Sequence, residues 1–210
     1  MPACDDFSLG FSYLPIIPPP RREPRWSTHL PSPLRLRPGL KTWLLDAGSL
    51  TAKLLKLSHG KFRVQVLQQV HLRASRSEAL ALGIGLDTRC LVREVILCGN
   101  DEPWVFARSV LPLTSLIGPL RHLRKQGNRP LGAFLFSQPH LKRSPIALSF
   151  INRHHAYVPD EYLCNASVWG RRSIFSVNNK PMLVSEVFLP EFPGSKEFSL
   201  RCGRPHFLHS

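Results

Sequence analysis

The sequence has few acidic residues, no regular cysteine pattern and no long apolar run. Only 14 Asp and Glu stand against 28 Lys and Arg, giving a formal net charge of +14. Such a surplus suits nucleic acid, anionic lipid or a small anionic substrate. No apolar stretch approaches the about 20 residues of a membrane helix, which excludes a spanning segment. Five scattered cysteines without C-x-x-C predict reduced thiols rather than disulfides or a zinc knuckle.

The N-terminal segment differs in composition from the rest of the chain. Residues 1–38 hold nine of the twenty prolines, which predicts an extended or poorly ordered leader. Asp5 and Asp6 stand where a signal peptide carries positive charge, so we expect no export signal and a cytoplasmic protein. Residues 195–210 have no periodicity and are predicted to be a tail. Residues 39–194 then form one domain, which keeps a charge of about +10.

Hydrophobic periodicity and turn signals predict an α+β fold. Apolar residues recur at helical spacing over 40–57, where Ser49 is placed to cap a second helical segment. Further short helices are predicted at 115–126 and 130–137. Alternation predicts a strand at 62–70, a hairpin of 91–98 and 104–111 with a five-residue loop, and a hairpin of 169–177 and 182–189. Strands joined by tight turns indicate an antiparallel sheet.

Two charges stand in apolar rows of predicted strands. Arg93 shares its face with Leu91, Val95 and Leu97, and Glu186 lies in a similar row of the last strand. An unpaired buried charge costs several kcal/mol, so each needs a partner or a ligand. One interpretation is structural: a buried Arg93–Glu186 salt bridge, or edge strands whose two faces are assigned the wrong way round. The other is a small, mostly apolar ligand with a carboxylate for Arg93 and a hydroxyl for Glu186.

Five motifs in order resemble the chorismate lyase (chorismate–pyruvate lyase) family. They are R-E-x-x-L-C, the E-P-W hairpin, P-L-G, W-G-R-R-S and E-x-F-L-P, within segments 91–112, 115–136 and 168–190, about a third of the chain. The resemblance implies a single α+β domain with a six-stranded antiparallel sheet and helical flaps over an enclosed site. It implies conversion of chorismate to 4-hydroxybenzoate and pyruvate, the first step of ubiquinone synthesis, without metal or cofactor.

The resemblance also assigns roles to individual residues. Arg93 matches the arginine that binds the ring carboxylate, and Glu186 matches the glutamate that meets the 4-hydroxyl, as an orienting partner or as a base. Leu131 matches a flap residue over the ring. Arg108 matches a further pocket arginine, to which we assign the enolpyruvyl carboxylate. The chain departs from the family pattern at Leu50, where a pocket methionine is familiar, and at Ala107, where a glycine is familiar.

Residues 142–167 read as an insertion relative to the family. We expect its His154-His155 pair to lie in a surface loop rather than to bind metal, because Cys164 fits no known ligand spacing. Arg171-Arg172 is interpreted as a strand end or a structural ion pair rather than a phosphate site.

Three other functions compete with a lyase. The effector domains of some bacterial transcription regulators share the fold and only bind ligands, but they carry a DNA-binding winged helix that 38 proline-rich residues are too few to form. A specific nucleic-acid binder is disfavoured because the arginines are dispersed. A lyase without turnover stays open. We therefore expect a monomer that binds chorismate and 4-hydroxybenzoate, with product inhibition because the product is enclosed.

Overall fold

The computed structural model describes residues 22–29 and 38–195. The predictions about most of the leader and about the tail beyond Ser195 lie outside these residues. Of the five cysteines, Cys90, Cys98 and Cys164 are described, and all three are free thiols.

The described part of the chain forms four short α-helices and two 3₁₀ helices, several of them with clear start signals. Ser49 accepts a hydrogen bond from Ala52 N and so caps the second helix, as predicted. Ser75 and Glu78 form a capping box at a helix that the periodicity did not reveal. The helices are α1 (Pro38–Leu44), α2 (Leu50–Leu57), α3 (Arg76–Leu82) and α4 (Leu131–Phe136), with 3₁₀ helices at Gly118–Lys125 and Asp160–Tyr162.

Within the described ranges, seven strands form one antiparallel sheet. They are β1 (Phe62–Arg73), β2 (Arg89–Gly99), β3 (Glu102–Pro112), β4 (Lys142–Arg143), β5 (Ala147–Ile151), β6 (Val168–Val177) and β7 (Lys180–Phe188). The order is β1-β2-β3-β7-β6-β4, and β5 also pairs with β6. Because β4 and β5 pair with successive parts of β6, they share one position. The predicted α+β fold with six strand positions is confirmed.

Both predicted hairpins form, and their turns are tighter than expected. The β2–β3 turn consists of Asn100 and Asp101, both at positive φ, instead of a five-residue loop. Asn178 and Asn179 make the same kind of turn between β6 and β7. Two central residues at positive φ match the right-handed twist of the strands, and Asn and Asp tolerate that conformation.

The sheet is covered on both faces. The flap face, which carries Val95, Ala107 and Arg171, packs against α1, α2 and α4. The α3 face, which carries Glu94 and Arg108, packs against α3 and residues 152–166. Each face buries its own apolar clusters, so a charged residue in the middle of β2 is buried whichever face it occupies.

The segment interpreted as an insertion contributes to the fold. Residues 142–151 supply β4 and β5, and Val158 and Leu163 are buried against the α3 face. The interpretation of 142–167 as an insertion relative to the family stays a prediction; the segment is an integral part of the folded domain. Its turn residue His154 is exposed, as expected, and no three His, Cys, Asp or Glu within the described ranges lie close enough to hold a metal ion.

Part of the predicted leader also packs on the domain. Ser27 and Leu148 of β5 exchange two backbone hydrogen bonds of 2.9 and 2.7 Å. Trp26 packs edge-on against Tyr157, and Glu23 accepts hydrogen bonds from Ser75 Oγ and Ser77 N. The expectation of a poorly ordered leader is thus corrected for residues 22–29, in which Arg22 N and Ser27 N donate to the carbonyls of His154 and Leu148.

Candidate active site

A narrow cavity lies on the flap face between the sheet and helices α2 and α4. About 40 Å³ is open to the centre of a water molecule, so an aromatic ring enters only if the covering helices move. Five of the six predicted site residues line it, together with Thr51, Val95, Leu97, Ser109, Pro130, Gly132, Leu135, Phe136, Phe175 and Val184; the five are Leu50, Arg93, Ala107, Leu131 and Glu186.

Arg93 is a buried cation that has no carboxylate partner among the described residues. Its residue is 3% exposed, and its Nη2 donates to the carbonyls of Gly127 at 2.8 Å and Arg129 at 3.3 Å. Its Nε has no hydrogen-bond partner within the described ranges. Desolvation lowers the pKa of the guanidinium because no neighbouring carboxylate offsets it. A buried donor left unpaired costs free energy, so an acceptor on a ligand would stabilise Nε.

Glu186 pairs with Arg171 rather than with Arg93. The two residues stand opposite each other on β7 and β6, and Arg171 Nε donates to Glu186 Oε2 at 2.6 Å. Arg171 Nη1 also donates to the carbonyls of Trp43 and Asp46, which fixes the α1–α2 connection to the sheet. The Arg93–Glu186 salt bridge is therefore wrong, and the structural ion pair expected for Arg171 is confirmed.

Helix α4 and the start of α2 form the lid of the cavity. Leu131 is the first residue of α4 and Leu50 the first of α2, and both are buried. The helices meet at Gly132, where an added Cβ would lie 2.9 Å from Thr51 Oγ1. The glycine therefore allows the two flaps to close on each other. Ala107 forms part of the floor and is 7% exposed.

Arg108 is the one predicted site residue that does not line the cavity. Strand alternation places it on the α3 face, where its Nε donates to Glu78 Oε1 at 2.7 Å and its Nη1 bonds Glu94. Glu78 is 1% exposed. This ion cluster raises the pKa of Arg108 although burial alone would lower it. The placement of Arg108 in the pocket is corrected: its charge is used to compensate two buried carboxylates.

The Arg108 cluster predicts a specific pH dependence of stability. Burial by itself would raise the pKa of the Glu78 carboxyl, but hydrogen bonding to Arg108 and its charge lower it below the usual 4.5. A carboxyl with a lowered folded-state pKa contributes stability above its unfolded-state pKa and loses it as the pH falls through the folded-state value. Glu78→Gln should therefore destabilise the protein more at about pH 7 than at about pH 3. Urea unfolding at both pH values checks this, and an equal difference at the two would contradict it.

Several cavity residues were not predicted from the sequence. Ser109 lies two residues after Ala107, and Val184 lies two residues before Glu186. Strand alternation therefore places them on the same face as those predicted site residues. Phe175 lines the cavity from β6. Gly132 belongs to the P-L-G motif. A side chain at this position would collide with Thr51 of α2, and the motif gives no sign of this contact because α2 is distant in sequence.

The fold and cavity define a class: an α+β domain with a narrow cavity between its sheet and two helical flaps, lined by Arg93 and Glu186. A sequence model described as chorismate lyase matches residues 27–195. The chain belongs to the chorismate lyase family.

Curated relatives agree with this family assignment. A probable chorismate pyruvate-lyase of Psychromonas ingrahamii is 40% identical over 79% of this chain and 89% of its own length. The protein of the same description from Nitrosomonas europaea is 37% identical over 76% and 92%. That from Azoarcus sp. is 40% identical over 76% and 86%.

Solved structures give a weaker comparison. The effector domain of PhnF from Mycobacterium smegmatis superposes with a TM-score of 0.47 at 15% identity, over 69% of this chain and 90% of that domain. Similarity of this degree carries no argument about function. No helix within the described ranges has the length and apolar character needed to cross a membrane.

Proposed function

We propose that this protein eliminates pyruvate from chorismate and releases 4-hydroxybenzoate. The observation that carries the proposal is the buried Arg93, which has no counter-ion within residues 22–29 and 38–195, in the same apolar cavity as Glu186. A guanidinium in an apolar cavity suits a carboxylate, and a carboxylate at a distance suits a hydroxyl. Membership of the chorismate lyase family supports this choice among small hydroxy acids.

The proposed binding mode follows the cavity. The ring carboxylate of chorismate meets Arg93, and the unpaired Nε provides a donor for it. The ring lies over Ala107 and under Leu131, and the 4-hydroxyl donates to Glu186. Leu50 completes the apolar wall. Holding both ends of the ring in this way fixes the enolpyruvyl ether in a reactive geometry.

In the proposed reaction the ring C3–O ether bond breaks and the C4 proton leaves. The ring becomes aromatic, and the departing enolpyruvyl group becomes pyruvate after it gains a proton. The C4 proton passes either to the departing group or to Glu186. Because Glu186 Oε2 is already held by Arg171, we assign Glu186 the orienting role.

Replacement of Glu186 separates orientation from base catalysis. Glu186→Gln keeps a hydrogen-bond acceptor for the 4-hydroxyl, so an orienting role predicts a loss of about tenfold in kcat, whereas general bases contribute about 10² to 10⁴-fold. Steady-state turnover of chorismate measures kcat, and 4-hydroxybenzoate affinity shows whether the cavity is intact. A loss beyond about 10³-fold with normal product affinity would assign the proton to Glu186.

Incubation of the purified protein with chorismate tests the function directly. The expected result is the appearance of 4-hydroxybenzoate and pyruvate in equal amounts, with slow release and inhibition by 4-hydroxybenzoate because the flaps must open. Tight binding of 4-hydroxybenzoate without turnover would instead support a non-catalytic ligand-binding domain. The cytoplasmic location and the monomeric state stay predictions.

A further inference from the structure

Chorismate carries a second carboxylate, on its enolpyruvyl side chain. Because Arg108 lies on the α3 face, away from the cavity, this second carboxylate has no partner in the binding mode proposed above. The following inference rests on the proposed function. The ether oxygen and the 4-hydroxyl are attached to neighbouring ring carbons. If Arg93 holds the ring carboxylate and Glu186 holds the hydroxyl, the second carboxylate must lie toward the Glu186 end of the cavity.

Two arginines, Arg171 and Arg143, lie at that end, and Nε and Nη1 of Arg171 already have partners within the protein. Arg171 is 1% exposed, donates from Nε to Glu186 and donates from Nη1 to two backbone carbonyls. Arg143 lies on β4 beside Phe175 of β6. Its Nε donates to Ser173 Oγ at 3.0 Å, and its Nη1 donates to the carbonyl of Ala47 at 2.8 Å. These are neutral acceptors, and no ion pair of Arg143 forms within the described ranges.

Arg143 lies directly behind the cavity wall. Its guanidinium carbon is 5.0 Å from the ring centroid of Phe175, which lines the cavity. Its partner Ser173 stands opposite Val184, another lining residue. Burial lowers the pKa of Arg143 and the nearby charge of Arg171 lowers it further, while Glu186 and Asp46 oppose the shift. An added anion would relieve both unfavourable contributions.

The charges of the site also fit a dianion. Arg93 and Glu186 line the cavity, Arg171 pairs with Glu186, and Arg143 lies behind Phe175, which together gives three positive charges and one negative charge. The nearby Asp46 is paired with Lys53, and this pair adds no net charge. The remaining two positive charges equal the two carboxylates of chorismate, whereas 4-hydroxybenzoate has one. We propose that Arg143 binds the enolpyruvyl carboxylate and thereby distinguishes the substrate from the product.

Variants of Arg143 test the proposal through the difference between substrate and product. Arg143→Ala should lower kcat/KM for chorismate by about 100-fold, as expected for a charge-assisted hydrogen bond, and change the affinity for 4-hydroxybenzoate less than about threefold. Arg143→Lys should recover part of kcat/KM because it keeps the charge. Lys142→Ala removes a neighbouring exposed cation and should leave both quantities unchanged.

Arg143 also connects the α1–α2 segment to the sheet through its hydrogen bonds to Ala47 and Ser173. A separate measurement must therefore distinguish a role in substrate binding from a role in holding the structure together. Arg143→Gln keeps hydrogen-bond donors for the Ala47 carbonyl but removes the charge. The proposal predicts that this variant binds 4-hydroxybenzoate normally and still has low kcat/KM. A parallel loss of product affinity and turnover in the Gln and Lys variants, or unchanged turnover, would overturn the role of Arg143. If wild-type protein made no 4-hydroxybenzoate, the proposed function itself would fail.

Discussion

Arg93→Ala should lower kcat/KM for chorismate by about 10³-fold, because truncating one partner of a buried charge pair costs about 2–5 kcal/mol or more. The same change should weaken the binding of 4-hydroxybenzoate, which keeps the ring carboxylate that Arg93 is proposed to hold. Steady-state kinetics and calorimetric titration with 4-hydroxybenzoate measure the two effects. The protein should stay folded, because the change removes a buried cation that no carboxylate offsets.

A matched control exists on the same strand. Arg89 begins β2 and is exposed, so Arg89→Ala removes the same charge without reaching the cavity. Its kcat/KM should stay within about twofold of wild type, since exposed charges act weakly through solvent. Near-normal product affinity in Arg93→Ala would remove Arg93 from the carboxylate site, whatever its effect on turnover.

Strand alternation indicated that Arg93 and Glu186 each need a partner or a ligand, because each interrupts an apolar row on one face of its strand. It left open whether the two residues pair with each other, and the structure places both in the lining of one cavity. What alternation does not provide is the partner. The pairing of Glu186 with Arg171 depends on the register of β6 against β7, which the turn at Asn178 and Asn179 sets.

The misplacement of Arg108 has a similar cause. Its strand is apolar on both faces, so periodicity gives no preference for the cavity side. The face becomes clear only through the carboxylates that it meets, and Glu78 lies on α3, a helix that periodicity did not indicate. The sequence Ser75-Arg76-Ser77-Glu78 is a capping box followed by Gly83, and those signals were sufficient to predict the helix.

The sheet edge was the least predictable part of the fold. Pro145 separates β4 from β5, so neither strand is long enough to show an alternating pattern. Both strands depend on pairing with β6 for their existence. Arg143 was therefore counted within an insertion, although it lies behind the wall of the cavity.

The excess positive charge is now partly placed. The cavity and its surroundings account for a net charge of +2. The 3₁₀ helix Gly118–Lys125, which precedes α4, has three exposed cations: Arg121, Arg124 and Lys125. This segment precedes the loop whose carbonyls hold Arg93. A positive field at this position attracts a dianionic substrate and is weakened by salt.

Arg108→Ala should destabilise the protein by about 3–5 kcal/mol, because removal of one partner leaves buried carboxylates uncompensated. Glu78 is 1% exposed and Glu94 9% exposed, so neither gains full hydration when Arg108 is lost. Urea unfolding at neutral pH measures the change. Arg73→Ala is the matched control, since Arg73 forms an exposed pair with Asp87 at 3.4 Å and such pairs contribute about 0–1 kcal/mol.

A second substitution separates charge compensation from loss of packing. In Arg108→Met, the long apolar side chain keeps much of the volume, and adding Glu78→Gln removes one of the two uncompensated charges. The double variant should therefore be more stable than Arg108→Met alone, which a purely steric role of Arg108 does not predict. Because Arg108 lies on the α3 face, every folded Arg108 variant should bind 4-hydroxybenzoate as wild type does. A stable Arg108→Ala protein that loses turnover of chorismate would show instead that Arg108 takes part in the reaction.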